Sequence, residues 1–290
     1  MIWLLLSIAS STIIFVLFRL FPKYGAHTLP AIVVNYAVAA TLGMLMLEPN
    51  YDFEAATQTT WFKGGLMVGT LFISIFFLMA FTAQRMGVAI SSIATKMSLV
   101  IPVAWFMATD PNDHVTGIKV VAVLLALLAV LLSSKKSEGN FNWSYIAFPV
   151  IVFLGSGVID LVIGHFSDGN QLQSESDRYL FTSAPFMTSM AIGIVVLIIR
   201  GIKGMPLFNW ATVIGGTVLG LVNFASIYFL IATFESKFVD RSAIIPINNL
   251  GVVLFSSLLA ILFFSEKASK RKLIGLAFAV LSIALLIFNR

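Results

Sequence analysis

Apolar residues in this chain fall into ten long, continuous blocks, at positions 2–18, 27–47, 61–83, 89–108, 116–133, 143–166, 179–199, 209–234, 241–264 and 272–288. A helix rises about 1.5 Å per residue, so roughly 17–25 apolar residues cross the ~30 Å hydrocarbon core of a bilayer. Each block is close to that length and is predicted to be a membrane-spanning α-helix. An outer-membrane barrel is excluded because its strands alternate lipid-facing and lumen-facing residues, and these blocks do not alternate. In lipid every backbone N–H and C=O must find a partner within the segment, which leaves the helix. The polar stretches between blocks are short, and the longer ones carry turn or polar chemistry: Glu48-Pro49-Asn50, Asp110-Pro111-Asn112-Asp113, residues 135–140 and residues 167–177. None is long enough for a domain outside the membrane.

Composition removes the soluble alternative. Hydrophobic residues make up 59% of the 290 positions and charged residues 11%, with a mean hydropathy of +0.99. Ordinary globular chains have about 45–50% apolar and 25% charged residues, so no compact soluble core would bury this much apolar surface. The fold class expected is an all-α membrane protein of ten transmembrane helices. No cleavable leader is expected, since the first block begins at Ile2 with no basic region before it. There is no cysteine, which excludes disulfides and thiolate metal sites.

An internal repeat divides the ten blocks in two. Gly65-x3-Gly69 in the third block matches Gly216-x3-Gly220 in the eighth at an offset of 151 residues (65 to 216). At that offset Leu71 meets Val222, Phe77 meets Tyr228, Thr82 meets Thr233, Ser91 meets Ser242 and Leu99 meets Leu250. The run from Gly117 in block five resembles the run from Gly275 in block ten at an offset of 158. Five helices plus five means that the second copy enters the membrane from the opposite side. That is the inverted repeat common in secondary transporters. The boundaries expected are 1–136 for the first repeat and 141–290 for the second.

The second half ends on Phe264-Ser265-Glu266-Lys267, then Gly275 nine residues after the glutamate, then an apolar run. Together with the five-plus-five pattern, this resembles the ten-helix EamA branch of the drug/metabolite transporter superfamily over nearly the whole chain. The first half departs from the pattern, with Asp110 or Asp113 in place of the glutamate and a shorter link to Gly117. Pro102 fits the family's proline in the fourth helix, whereas its mate at offset 151 is Val253 and the ninth block carries Pro246 instead. The resemblance implies two EamA-like repeats, transport by alternating access, and a bacterial plasma (inner) membrane.

Orientation follows from basic residues in the loops. Of the 18 lysines and arginines, eleven lie on the side reached after odd-numbered blocks and six on the other, with Lys96 inside a block. The rule makes the first side cytoplasmic and both termini external, although the resemblance implies termini inside.

Polar residues within the blocks are the informative ones. Lys96 lies about 10 Å from the start of block four, too deep for its roughly 6 Å stem to snorkel out. A lysine at that depth costs roughly 2.5–3.5 kcal/mol on insertion scales, and by default it marks a functional cation facing a cavity. Pro102 follows it. At offset 151 Lys96 maps to Ile247, beside Asn248 and Asn249, in a block that also holds a proline. Proline-interrupted segments in corresponding places of two halves point to a transport site. Asn35, Ser92 and Asn223 complete the expected substrate-binding set of Lys96, Asn35, Ser92, Asn223, Asn248 and Asn249. Asn248 and Asn249 are each equally well read as forming an interhelical hydrogen bond of about 0.6–2 kcal/mol. Asp160 is the carboxylate well inside a block, and stands either as a counter-charge to Lys96 or as a proton-coupling group. His165, His27 and His114 lie at block ends or loops and read as interfacial. Trp3, Trp61, Trp143 and Trp210 read as aromatic anchors near helix ends.

Enzyme signals are absent from the sequence. Gly155-Ser156-Gly157 lacks an intramembrane serine-protease frame, and there is no Walker loop, acidic Mg²⁺ pair or His/Cys cluster. No cofactor, metal or nucleic-acid partner is expected. The partners expected are the lipid bilayer and a small-molecule substrate. The resulting expectation is a secondary transporter of a small polar or anionic metabolite of amino-acid or organic-acid type, with a central site near Lys96. The alternatives are a flippase for a lipid-linked anionic headgroup, and a non-transporting membrane subunit whose Lys96 pairs with an acidic partner.

Overall fold

A computed structural model describes residues 1–86, 94–111, 113–133, 147–167, 171–264 and 269–288. Within them the chain is predominantly helical, with no strand. The α-helices are α1 (Ile2–Leu20), α2 (Thr28–Leu45), α3 (Phe53–Gln58), α4 (Thr60–Met86), α5 (Val100–Thr109), α6 (Gly117–Ser133), α7 (Ala147–Phe166), α8 (Glu175–Ile202), α9 (Trp210–Glu235), α10 (Arg241–Phe264) and α11 (Lys270–Phe288). Six of them, α2 and α7 to α11, contain stretches long and apolar enough to cross a membrane. The protein is therefore an all-α membrane protein. Shorter apolar helical stretches occupy the other four blocks: Ile2–Phe18, Thr60–Ile75, Ala94–Thr109 and Gly117–Leu132.

Three departures from the hydropathy pattern have local causes. α3 forms in a stretch expected to be loop, because Asp52 accepts from the Ala55 N–H at 2.9 Å and caps its start. α8 begins four residues before its apolar block. A capping box sets that start: the Ser174 hydroxyl accepts from Asp177 N–H and the Asp177 carboxylate from Ser174 N–H, both at 3.0 Å. The fourth block is helical from residue 94, but its hydrogen-bond ladder is interrupted by a turn at 98–99, where Leu99 keeps helical angles.

The helices gather into two compact units. One comprises residues 1–73 and 165–235, the other residues 74–164 and 236–290. Each draws on both halves of the chain, so the compact units are not the repeats expected at 1–136 and 141–290. In the first unit α9 packs on α1 and α2, and α2 also packs on α8. Glycines set these approaches. A Cβ added at Gly216 would lie 2.6 Å from the Ala31 carbonyl oxygen, and one at Gly220 2.7 Å from Val38 Cβ. The first part of α4 meets α8 in the same manner, with a Cβ at Gly65 2.8 Å from Ala184 Cβ and one at Gly69 2.2 Å from the Pro185 carbonyl oxygen. Small residues of this kind let helix backbones approach closely where lipid supplies no hydrophobic driving force. Trp61 belongs to this packing. It is buried against Phe181 at 6.2 Å, unlike Trp210, which is exposed.

In the second unit α11 packs along α6, and Ser282 Oγ donates to the Ala122 carbonyl at 2.7 Å. α10 packs on α5, α6 and α11. α7 approaches its neighbours through Gly155, against Ile75, and Gly157, whose added Cβ would lie 2.3 Å from Ile101 Cδ1.

Candidate functional site

Lys96 stands beside the break in the fourth block, and Pro102 explains the break. Proline has no N–H and its ring excludes the carbonyl four residues back. That carbonyl belongs to Ser98, and it accepts instead from the Ile101 N–H at 3.0 Å, while helical bonding resumes with Val103 N–H to Leu99 O at 3.2 Å. Ser98 Oγ turns back to the Thr95 carbonyl at 2.6 Å. Lys96 thus occupies the last turn of the 94–97 segment, where the partial negative charge of terminal carbonyls favours a cation. Its side chain is half-buried.

Asp160 approaches from α7. Gly157 lies one turn before it, and the close contact of Gly157 with Ile101 brings that face of α7 to the broken segment. Lys96 and Asp160 attract one another electrostatically. Lys96 is therefore not an unpartnered cation. Asn248 is buried and Asn249 half-buried on α10, in the same unit. Pro246 does not break α10, which is helical from Arg241 to Phe264. The bond that it removes is to the carbonyl of Ser242, in the first turn, where other groups hold the chain.

Asn35 and Asn223 belong to the other unit and bond to each other. The Asn223 amide donates to Asn35 Oδ1 at 3.0 Å, and Asn35 Nδ2 donates to the Ile32 carbonyl at 3.2 Å. Ser226 Oγ donates to Asn223 O and Ser7 Oγ to Ser226 O, at 2.8 and 3.0 Å, which extends the chain of bonds from α2 through α9 to α1. Ser92, Ser91, Trp143 and the Ser265-Glu266-Lys267 segment lie outside the described residues. The six expected substrate-binding residues accordingly divide. Lys96, Asn248 and Asn249 share a unit with Asp160, Asn35 and Asn223 share the other, and Ser92 is not among those described.

Two charged clusters were not expected. In the second unit Lys119, on the first turn of α6 and 3% exposed, lies 2.7 Å from Asp113 and 2.6 Å from Asp240. Asp113 also accepts from the N–H and hydroxyl of Ser242 at 2.7 and 2.9 Å. In the first unit Arg178 bridges Glu175 and Glu235, the latter at 2.6 Å. Tyr228 donates to Glu175 at 3.0 Å and stacks on Tyr179 at 5.4 Å. Tyr51 donates to Asp177 at 2.5 Å. Burial first, and then that carboxylate, pushes the Tyr51 hydroxyl above its ordinary range, so it remains a donor. The one signal for the second-unit cluster in the sequence is that Lys119 falls at the edge of an apolar block. Its partners are too distant along the chain to be read from spacing.

No protein-family model matches the chain. An uncharacterised protein of Haemophilus influenzae is 25% identical over 288 residues, covering 97% of this chain and 95% of that one. A protein known from a crystal structure has the same fold, with a TM-score of 0.72 at 11% identity over 99% of both chains.

Proposed function

We propose that the protein is a ten-helix, inverted-repeat secondary transporter, an EamA-like member of the drug/metabolite transporter superfamily. It moves a small polar or anionic metabolite, of amino-acid or organic-acid type, by alternating access. The observation that carries this reading is the interrupted helix at residues 98–99 with Lys96 on its rim and Asp160 opposite. A helix loosened by proline at membrane depth frees backbone groups that neighbouring helices or a water-filled cavity must satisfy. Discontinuous helices of this kind form the substrate sites of inverted-repeat transporters. Lys96 binds the anionic group of the substrate, Asp160 is the counter-charge that it exchanges for that group, and Asn248 and Asn249 supply neutral hydrogen bonds.

Helix contacts within the first unit support the repeat. Gly216 abuts Val34, and Gly65 abuts Pro185, each partner displaced by the same 151 residues. Gly220 abuts Val38, and at the same displacement Ser189 Oγ donates to the Gly69 carbonyl at 2.8 Å. The Asn35–Asn223 bond has as its counterpart the ring contact of Phe186 and Phe72, with centroids 6.0 Å apart. Thr82 and Thr233 each donate to the carbonyl four residues back at 2.7 Å. Exchange of α2 with α8 and of α4 with α9 thus carries contacts onto contacts, as a two-fold relation between halves requires. Five blocks separate the copies, and an odd number inverts the second.

The reading is tested by uptake into proteoliposomes of the purified protein, from pooled labelled amino and organic acids, with and without a pH gradient. Saturable accumulation of one acidic metabolite class is expected. Absence of any protein-dependent flux, with the protein folded, overturns the proposal.

A further inference from the structure

The cluster around Asp113 lies away from Lys96 and has a construction of its own. Asp113 is almost wholly buried with both oxygens engaged, Oδ2 by Ser242 N–H and Oδ1 by Ser242 Oγ and Lys119 Nζ. The Ser242 N–H is one of the donors that the first turn of a helix leaves without an intrahelical partner. Asp113 therefore caps α10 from a different segment, with its charge at the positive end of the helix dipole. Lys119 also donates to the His114 carbonyl at 3.0 Å. Next to Ser242, Arg241 donates to the Gly164 carbonyl at 2.5 Å, faces Asp110 at 3.9 Å and lies over the Phe106 ring at 4.9 Å. The ends of α5 and α7, the α5–α6 link, and the starts of α6 and α10 are tied in one knot.

We propose that this knot is a latch, which holds α10 to the α5–α6 link and closes the second unit at that membrane face, and whose release is a step of the transport cycle. This rests on the alternating-access reading. A permanent brace is better built from apolar side chains, because buried ion pairs are often no more stable than hydrophobic replacements. Charge-assisted bonds have a different merit, in that water can take over each partner when the contact opens. Asp240, at 27% side-chain exposure, is the most open carboxylate of the cluster and the place where water would enter first. The leverage is direct. Asn249 lies seven residues after Ser242, two turns along the same face of α10 and about 10 Å further in. The latch is also one-sided. At the offset of 158 that relates α6 to α11, Lys119 corresponds to Ala277, so the lysine of this latch has no counterpart in the other half.

The chain contains no cysteine, so Asn249→Cys is a single reporter for a membrane-impermeant maleimide applied to sealed vesicles of each orientation. With the knot intact, labelling from the face bearing residues 110–116 is expected to be slow. Asp113→Asn keeps the Lys119–Asp240 pair. The double variant Asp113→Asn/Lys119→Met removes both buried charges together, and the one ion that it leaves without its partner is Asp240, whose side chain is 27% exposed. Each is expected to speed labelling from that face on the order of tenfold, as a shift in a two-state opening equilibrium does. Melting temperature checks that each variant is folded. Unchanged labelling in the folded variants overturns the latch and leaves the transport reading standing, as does rapid labelling from that face with the knot intact. A reporter that reacts from neither face in any background removes the cavity itself, and the latch with it.

Discussion

The glycine contacts yield an ordered set of stabilities. Replacing a helical glycine by alanine gains about 1 kcal/mol in helix propensity, and overpacking a tight contact costs about 1–3 kcal/mol. The local geometry decides which wins. At Gly69 the new Cβ meets the Pro185 carbonyl oxygen at 2.2 Å and Thr188 Cβ at 2.7 Å, against an ordinary contact of about 3.5–4.0 Å. Relief requires α4 and α8 to part by more than 1 Å, because the obstruction is backbone. At Gly216 the nearest atoms are the Ala31 oxygen and Val34 Cβ, both at 2.6 Å. At Gly65 the closest atom is one methyl at 2.8 Å and the next is 3.5 Å away, so a small shift suffices. At Gly117, at the start of α6, nothing lies within 4 Å. Alanine is therefore expected to destabilise by about 2 kcal/mol net at Gly69, by about 1–2 at Gly216, by less than about 1 at Gly65, and not at all at Gly117. At about 2–4 °C per kcal/mol, the melting temperatures of detergent-solubilised variants separate clearly. If Gly69→Ala melts at or above the parent, the close approach of α4 and α8 is wrong, and with it one of the contacts that support the repeat.

Two other perturbations reach the site and its frame. Pro102→Ala restores an N–H to the Ser98 carbonyl and allows residues 94–97 to join α5. The protein is expected to melt at the same or a higher temperature, since an interior proline costs about 3 kcal/mol, and uptake is expected to fall. Full uptake by this variant refutes a role for the break. Asn35→Leu and Asn223→Leu, singly and together, are expected to give a coupling energy of about 0.6–2 kcal/mol in a thermal-unfolding double-mutant cycle. Zero coupling contradicts the hydrogen bond.

Hydropathy is a local property, and what depends on it was legible in the sequence. The apolar blocks became helices, and Pro102 interrupted the fourth because its own missing N–H is sufficient cause. The matched Gly-x3-Gly pairs were legible as repeat mates, and not as the contacts that they make with α8 and α2. Pairing is not local. Asn35 and Asn223 each looked like a substrate ligand, and nothing within either block shows that they meet 188 residues apart. Lys119 was counted as a loop charge because it falls at the edge of a block, while its partners Asp113 and Asp240 stand in different connections. Ser242 drew notice solely as the repeat mate of Ser91, since its bonds to Asp113 span 129 positions. The 1–136 and 141–290 halves follow repeat similarity, whereas compactness follows packing, and packing assembles each unit from both halves.

The central claim is that the Lys96 ammonium receives the anionic group of the substrate at the broken helix. The most direct measurement is counterflow of the transported acid in proteoliposomes, comparing the parent with Lys96→Ala and with Asp160→Asn at matched protein content and unchanged melting temperature. The account predicts that Lys96→Ala abolishes exchange of the acid, and that Asp160→Asn, which leaves the cation without its competitor, lowers the apparent KM. Exchange by Lys96→Ala at the parental rate and affinity would contradict it.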